Sequence, residues 1–308
     1  AAGVVTSVGA INGAGTVTSG TASAAQGATL ASISQTVVYD ISDTAANIVA
    51  NIGGLDEARD ITATDSCTFA QAKVIEDATN DRNISFNISD TAANIVAGIG
   101  SDAAVITAAT TVAANTYATK AELEVIGANT NSIIFSVKDT AANLAAATAA
   151  RILKAVNVIG TTDATVAEAT SIDTNTNGGA GGYNTYNIVD TGENIAGAGN
   201  ALLATAGTVT VSDTATVAHA ETIAAFTKAV IYSISDSAGN ALATAGIAYL
   251  ATQSKKGNDV MSPGSNSSGY GNRTLFGPEG AIALNNKDTV IAGTNLFSKG
   301  DDVISAPA

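Results

Sequence analysis

The chain of 308 residues has no Trp, one Cys, one His and three Pro, and only 4% of its residues are aromatic. With a single thiol, at Cys67, an internal disulfide is excluded. So few aromatic side chains argue against one large core and favour many thin layers of small residues, each packed on its neighbours. No run of about 18 apolar residues is present, so we expect no membrane span.

Basic residues are also scarce: 13 Lys and Arg stand against 27 Asp and Glu, which gives a net charge of −14. Such a charge repels phosphate backbones, so we expect no nucleic-acid partner. A phosphate-binding loop, a dinucleotide GxGxxG with its downstream acid, GxSxG, HExxH and CxxC are all missing. His219, the only histidine, has no catalytic partner that the sequence identifies. We therefore predict no catalytic or cofactor-binding residues and a protein that is not an enzyme.

One phrase occurs five times, as YDISDTAAN, FNISDTAAN, FSVKDTAAN, YNIVDTGEN and YSISDSAGN, and its aspartates are 47, 49, 51 and 46 residues apart. Such regularity predicts a repeat protein. A related phrase lies between the copies, as in ITATDSCTFAQAKVI from Ile61 and VTVSDTATVAHAETI from Val209. Each repeat therefore divides into two half-repeats of about 23 residues.

Each half-repeat has the pattern of a strand followed by a helix. In YDISD, alternation places Tyr39 and Ile41 on a core face and Asp40 and Ser42 on a wet face. Asp43 is then expected to cap the helix, where its carboxylate also meets the positive end of the helix dipole. The same structural cap is predicted for Asp65, Asp90, Asp139, Asp190, Asp213 and Asp236, while Asp163 lies one position out of register. Four residues after each cap of the first phrase, an Asn is expected to bond the backbone of a neighbouring half-repeat as a ladder: Asn47, Asn94, Asn143, Asn194 and Asn240.

The strand–helix order predicts an α/β fold over residues 1–252, a solenoid with a parallel sheet and short helices along one side. The other sheet face is expected to be open and rich in Ser, Thr, Asn and Asp. Residues 253–308 are rich in Gly and Asn, and GAIALNN, DTVIAG and DDVISA have the pattern of short strands, so a separate β-rich segment is predicted. Within it, the segments KDTVIAG and GDDVISA resemble the Gly-Asp-Asp-hydrophobic phrase of repeats-in-toxin rolls. This resemblance implies a calcium site at the matching acids Asp288, Asp301 and Asp302.

The first 39 residues carry no charge. Solenoids need polar ends to avoid stacking, so an apolar first coil predicts end-to-end association or strand addition between copies of the chain.

The strand-DTAAN-helix phrases resemble repeats of very large secreted bacterial surface proteins of the surface-layer and repeats-in-toxin adhesin type. The resemblance covers about residues 16–252 and implies export, a cell-surface location and a structural role. A subunit of a self-assembling surface layer, sheath or filament is the first hypothesis. A monomeric adhesin stalk that binds a partner such as a surface glycan through the polar sheet face is the second. A polysaccharide enzyme is the third, and it would need acids that break the repeat pattern and converge.

Overall fold

The computed structural model describes residues 2–6, 16–33, 35–55, 57–78, 83–176 and 183–234, together with the short segments 282–283 and 304–305. Contacts divide the chain into two compact units. The first contains Ala1–Lys138, Ala147–Val158 and Gly181–Tyr183, and the second contains Asp139–Ala146, Ile159–Ala180 and Asn184–Ala308.

Short helices and short strands alternate along the described residues. The α-helices are α1 Ala2–Thr6, α2 Ala24–Ala31, α3 Ala45–Ala50, α4 Phe69–Ala78, α5 Ala92–Ser101, α6 Ala103–Ala108, α7 Lys120–Ile126, α8 Ala141–Ala145, α9 Ala149–Ile152, α10 Val166–Asn175, α11 Gly192–Gly197, α12 Asn200–Thr205 and α13 Val217–Ala224. The strands are β1 Thr16–Thr18, β2 Thr36–Val38, β3 Ile41–Asp43, β4 Asp60–Cys67, β5 Asn83–Asp90, β6 Thr111–Ala114, β7 Ile133–Ile134, β8 Val137–Asp139, β9 Asn157–Gly160, β10 Tyr183–Thr185, β11 Ile188–Asp190, β12 Val209–Ala215, β13 Ile231–Ile234, β14 Ile282–Ala283 and β15 Ile304–Ser305.

Five sheets contain these strands, in the orders β1-β2, β3-β4-β5-β6-β7, β10-β9-β8, β11-β12-β13 and β14-β15. In the largest sheet each strand pairs in parallel with the next one in the sequence, as Ile41 does with Ile61. β11, β12 and β13 are also parallel, and so are β1 with β2 and β14 with β15. The predicted α/β fold with parallel strands is therefore confirmed.

The core of each unit lies between the inner faces of the strands and the apolar faces of the helices. Tyr39, Ile41, Phe86 and Ile88 are each 1% exposed, as their alternation with polar residues predicts. Further along the chain the same alternation buries Phe135, Val137, Tyr186, Ile188 and Ile234. Only Tyr232 departs from it, since that side chain is half-buried.

Small residues let neighbouring helices approach each other closely. At Gly98 in α5, an added Cβ would overlap the ring of Phe69, the first residue of α4. The helices after α1 bury mainly an apolar stripe, for example Ala45 and Ile48 in α3, while Val49 on the same helix is half-buried. The buried side chains are therefore spread over many thin layers between short helices and strands, and do not form one large core.

Candidate functional site

The aspartates that end β3, β5 and β11, Asp43, Asp90 and Asp190, each hold three hydrogen-bond donors. In the case of Asp90, the Oδ1 atom accepts from the backbone N–H of Thr91 at 2.7 Å and from Nδ2 of Asn94 at 2.8 Å. Its Oδ2 atom accepts from the N–H of Phe69 at 2.9 Å, which is the first N–H of the preceding helix α4. Both carboxylate oxygens are therefore used in structural bonds, and the side chain is buried.

The same arrangement recurs in both compact units. Asp43 holds the N–H groups of Thr44 and Ala24 and the amide of Asn47, at 2.8, 3.0 and 2.8 Å. Asp190 in the second unit holds its three donors at 2.8 Å each: the backbone of Thr191, the backbone of Val166 and the side chain of Asn194. Asp139 accepts from the N–H of Thr140 and from Nδ2 of Asn143.

The predicted helix caps are wrong by one residue in these half-repeats. The strand continues through the aspartate, and the residue that caps the helix is the threonine after it, whose Oγ1 accepts from the backbone N–H three residues later, as Thr44 does from Asn47. Asp65 and Asp213 lie inside β4 and β12, so neither caps the helix of its own half-repeat. The four threonines that replace the predicted aspartates are Thr44, Thr91, Thr140 and Thr191.

The asparagine ladder is also corrected. The Nδ2 atoms of Asn47, Asn94, Asn143 and Asn194 donate to the aspartate of their own half-repeat rather than to a neighbouring backbone. The bond between half-repeats comes from the aspartates. Two further predicted positions, Asp236 and Asn240, lie outside the described residues, as do Asp288, Asp301 and Asp302.

Hydrogen bonds from one half-repeat to the next therefore satisfy the helix N-termini. The first N–H groups of a helix have no partner within that helix, so an acceptor from elsewhere is needed. In seven of the described helices the first N–H donates to a side-chain oxygen 19 to 24 residues further along the chain. The acceptors are Asp43, Asp65, Asp90, Thr116, Thr162, Asp190 and Asp213. We call these seven bonds the cross-caps.

Two helix C-termini bind a lysine that follows them in the sequence, as the cross-cap acceptors follow the helix N-termini. The Nζ atom of Lys154 donates to the carbonyl oxygen of Gly127 at 2.7 Å, just after α7, and Nζ of Lys228 donates to the carbonyl oxygen of Ala206 at 2.6 Å, just after α12. Carboxylates near helix N-termini and ammonium groups near C-termini both complement the helix dipole.

Hydrogen bonding lowers the pKa of the cross-cap carboxylates that hold three donors. For Asp43 the largest cause is the bond from Asn47, followed by the bond from the N–H of Ala24. For Asp90 and Asp190 burial acts in the opposite direction, but the bonds from the asparagine and the two backbone N–H groups outweigh it, so the pKa is still lowered.

We expect acid to weaken the fold through these three aspartates. Because the pKa of each is lower in the folded chain than in the unfolded chain, the unfolded state binds more protons as the pH falls, and stability is lost. The free energy of unfolding should be constant above about pH 5 and fall below about pH 4. Thermal unfolding followed at several pH values would show this fall, and Asp190→Asn should make it shallower. A melting temperature that does not change below pH 4 would contradict the prediction.

The outer face of the largest sheet carries rows of neutral polar side chains. Thr111 donates from Oγ1 to Oδ1 of Asn87, the residue paired with it on β5, at 2.7 Å. Exposed apolar groups interrupt this face at Ile134, which is 54% exposed. One row in register is formed by Ser42, Thr62 and Ser85. The expected polar outer face is thus present in the described part of this sheet.

Three carboxylates lie close together beside the end of α4. One oxygen each of Glu76, Asp77 and Asp102 lies within 4.8 Å of the others, a spacing that can hold a metal ion. The ammonium group of Lys73 lies 2.9 Å from Asp77 and 2.7 Å from Asp102 and lowers the pKa of Asp102. A cation at this cluster therefore competes with Lys73.

Removing that ammonium group should strengthen calcium binding. For Lys73→Met we expect the affinity for Ca²⁺ to rise by about tenfold, since one positive charge leaves the immediate surroundings of the carboxylates. Calorimetric titration of the full chain with CaCl₂ measures the change. In the control, Lys73→Met with Asp102→Asn, the added affinity should disappear. Equal binding by the wild type and Lys73→Met would show that this cluster does not bind calcium.

The single cysteine and the single histidine both lie in the packed part of their half-repeats. Cys67 is fully buried, and burial together with the charge of Asp65 raises the pKa of its thiol to about 11. His219 lies on α13, half-buried, and its backbone N–H donates to Oγ1 of Thr216. Neither residue lies in a group of three or more His, Cys, Asp and Glu side chains with metal-ligand spacing in the described part of the chain.

Sequence reasoning missed two kinds of residue. Thr116 and Thr162 accept cross-caps where other half-repeats have an aspartate, and a signal exists at Thr162, since Asp163 stands one position out of register. The capping boxes were also missed. In each, Ser or Thr is followed three residues later by Gln or Glu, as in Ser23 with Gln26 and Thr165 with Glu168.

Comparison with known proteins adds no relative: neither a family model, nor a curated protein, nor a solved structure matches this chain. Among the described helices, none has the length and hydropathy required to cross a membrane.

Proposed function

We propose that this chain is a non-enzymatic, extracellular structural protein whose half-repeats stack as an αβ solenoid over residues 1–252. Copies of it would assemble into a surface layer, sheath or filament. The likeness of its repeat phrases to those of large secreted bacterial surface proteins supports the cell-surface location. The uncharged stretch of residues 1–39 supports contacts between copies, because a surface without charge does not repel a second copy.

The observation that carries this proposal is how the recurring polar residues are used. The aspartates of the repeat phrases accept backbone N–H groups across half-repeats, and their asparagines donate to those aspartates. Side chains in such bonds stabilise the contact between neighbouring half-repeats and are not free to act on a substrate. A repeat whose polar residues are held in structural hydrogen bonds is suited to a mechanical role.

Electron microscopy of the purified protein at high concentration tests self-assembly. We expect ordered filaments or sheets in calcium, and their loss in chelator would assign calcium to the contacts between copies. Thr18→Lys places a charge on the exposed end of β1, the first strand of its sheet, and should shorten or abolish the polymers. Thr64→Lys, on an exposed position of β4, is the matched control and should leave them intact. Dispersed particles of wild-type protein in both conditions would contradict self-assembly.

A monomeric adhesin stalk or binding module is the second candidate, and the exposed polar rows of the largest sheet favour it. Neutral hydroxyl and amide groups in register, such as those of Thr62 and Ser85, can hydrogen-bond to a glycan. This candidate predicts dispersed rods at every concentration. It also predicts binding to a glycan array that Thr62→Lys weakens.

A further inference from the structure

We propose that the seven helices with cross-caps are coupled to their neighbours in one direction through their N-termini. Each helix that carries a cross-cap is completed by the half-repeat that follows it, so loosening of one half-repeat releases the helix before it and leaves the N-terminus of the helix after it intact. The proposal concerns how the chain opens and does not depend on whether copies assemble.

The geometry of the donors sets this direction. In all seven cross-caps the donor is the first N–H of a helix, and the acceptor follows it in the sequence. Lys154 and Lys228 bind the carbonyl groups just after α7 and α12, so these two helix C-termini also bind groups that follow them in the sequence. Strand pairing and core contacts stabilise both neighbours alike, so the asymmetry resides in the helix ends.

A second hydrogen bond at each cross-capped helix is local and provides the contrast. The N-cap residue, Ser23 in α2 and a threonine in the others, accepts from the backbone N–H three residues later, within the same half-repeat. An isosteric change at that threonine should loosen its own helix. A change at the cross-cap acceptor should loosen the helix of the previous half-repeat.

Both kinds of residue occur in one exposed loop of the first unit. Oγ1 of Thr116 accepts from the N–H of Ala92, at the start of α5, at 2.9 Å. Oγ1 of Thr119, three residues later, accepts from the N–H of Glu122 in α7. Both threonines are exposed, so valine at either position removes the acceptor oxygen without changing the core.

Amide hydrogen exchange read out by mass spectrometry on the full chain separates the two effects. We expect Thr116→Val to speed exchange in the first turn of α5 about fivefold and to leave α7 unchanged. Thr119→Val should do the reverse, with faster exchange in α7 and unchanged exchange in α5. If Thr116→Val acts on α7 alone or on both helices equally, the one-way coupling is wrong.

The second unit provides an independent pair. Asp213 accepts from the N–H of Gly192 at the start of α11 at 2.8 Å, and Thr216 accepts from the N–H of His219 in α13. Asp213→Ala should loosen α11, and Thr216→Val should loosen α13. The opposite assignment, or equal loosening of both helices by Asp213→Ala, would overturn the proposal even if one variant of the first pair failed to fold.

Discussion

Replacing Asp90 by Ala should lower the free energy of unfolding of the first unit by about 3 kcal/mol, because it leaves three partly buried donors without their shared acceptor. The carboxylate is only 6% exposed, so water cannot replace it readily. It binds the N–H of Phe69 at the start of α4, the N–H of Thr91 and the side chain of Asn94. Hydrogen bonds to a charged group are stronger than those between neutral groups, so losing three together is costly.

Urea unfolding followed by circular dichroism measures this loss as a lower midpoint. Asp90→Asn keeps the size of the side chain but turns one acceptor into a donor, so it should fall between the wild type and Asp90→Ala. Asp163 is the matched control: it is exposed and bonds the side chain of Asn187, so Asp163→Ala should change stability by less than about 0.5 kcal/mol. Equal effects of Asp90→Ala and Asp163→Ala would mean that the cross-caps do not stabilise the fold.

Phe86→Ala should destabilise the first unit by about 3 to 5 kcal/mol through lost burial and the cavity left behind. The ring is 1% exposed and is one of only 13 Phe and Tyr side chains in the chain. In layers built mainly from Ala, Val and Ile, small side chains refill such a space only in part. Phe86→Leu, which keeps much of the volume, should cost less than half as much.

Tyr117 provides the aromatic control for the same urea experiment. Its ring is 52% exposed and lies 5.8 Å from Nζ of Lys138, a contact worth about 0.5 to 1 kcal/mol at an exposed site. Tyr117→Ala should therefore be nearly neutral. If Phe86→Ala were equally mild, the aromatic position of the repeat phrase would not be a core position.

The alternation and the spacing of the repeats were sufficient to predict the strands, the helices and most of the core. Tyr39, Ile41, Phe86 and Ile88 lie where a period of two places them, because one face of each strand is covered by helices. The parallel pairing also followed from the strand–helix order, since short connections of this kind return the chain in the same direction.

The partners of the polar residues could not be predicted in the same way. Asp and Thr stand side by side in the phrase, and both are good N-cap residues, so local propensity does not choose between Asp43 and Thr44. Pairing of Asp43 with Ala63 on β4 extends the strand through the aspartate and moves the cap to the threonine. The carboxylate then faces the start of the previous helix.

The half-repeat, its apolar face and the approximate start of each helix follow from the order of amino acids alone, because these features depend on side chains within one short segment. Folding in three dimensions sets which group each aspartate binds, and it brings the carboxylates of Glu76, Asp77 and Asp102 together. Those contacts join residues about 20 to 30 positions apart, and their distances depend on how the strands lie in register.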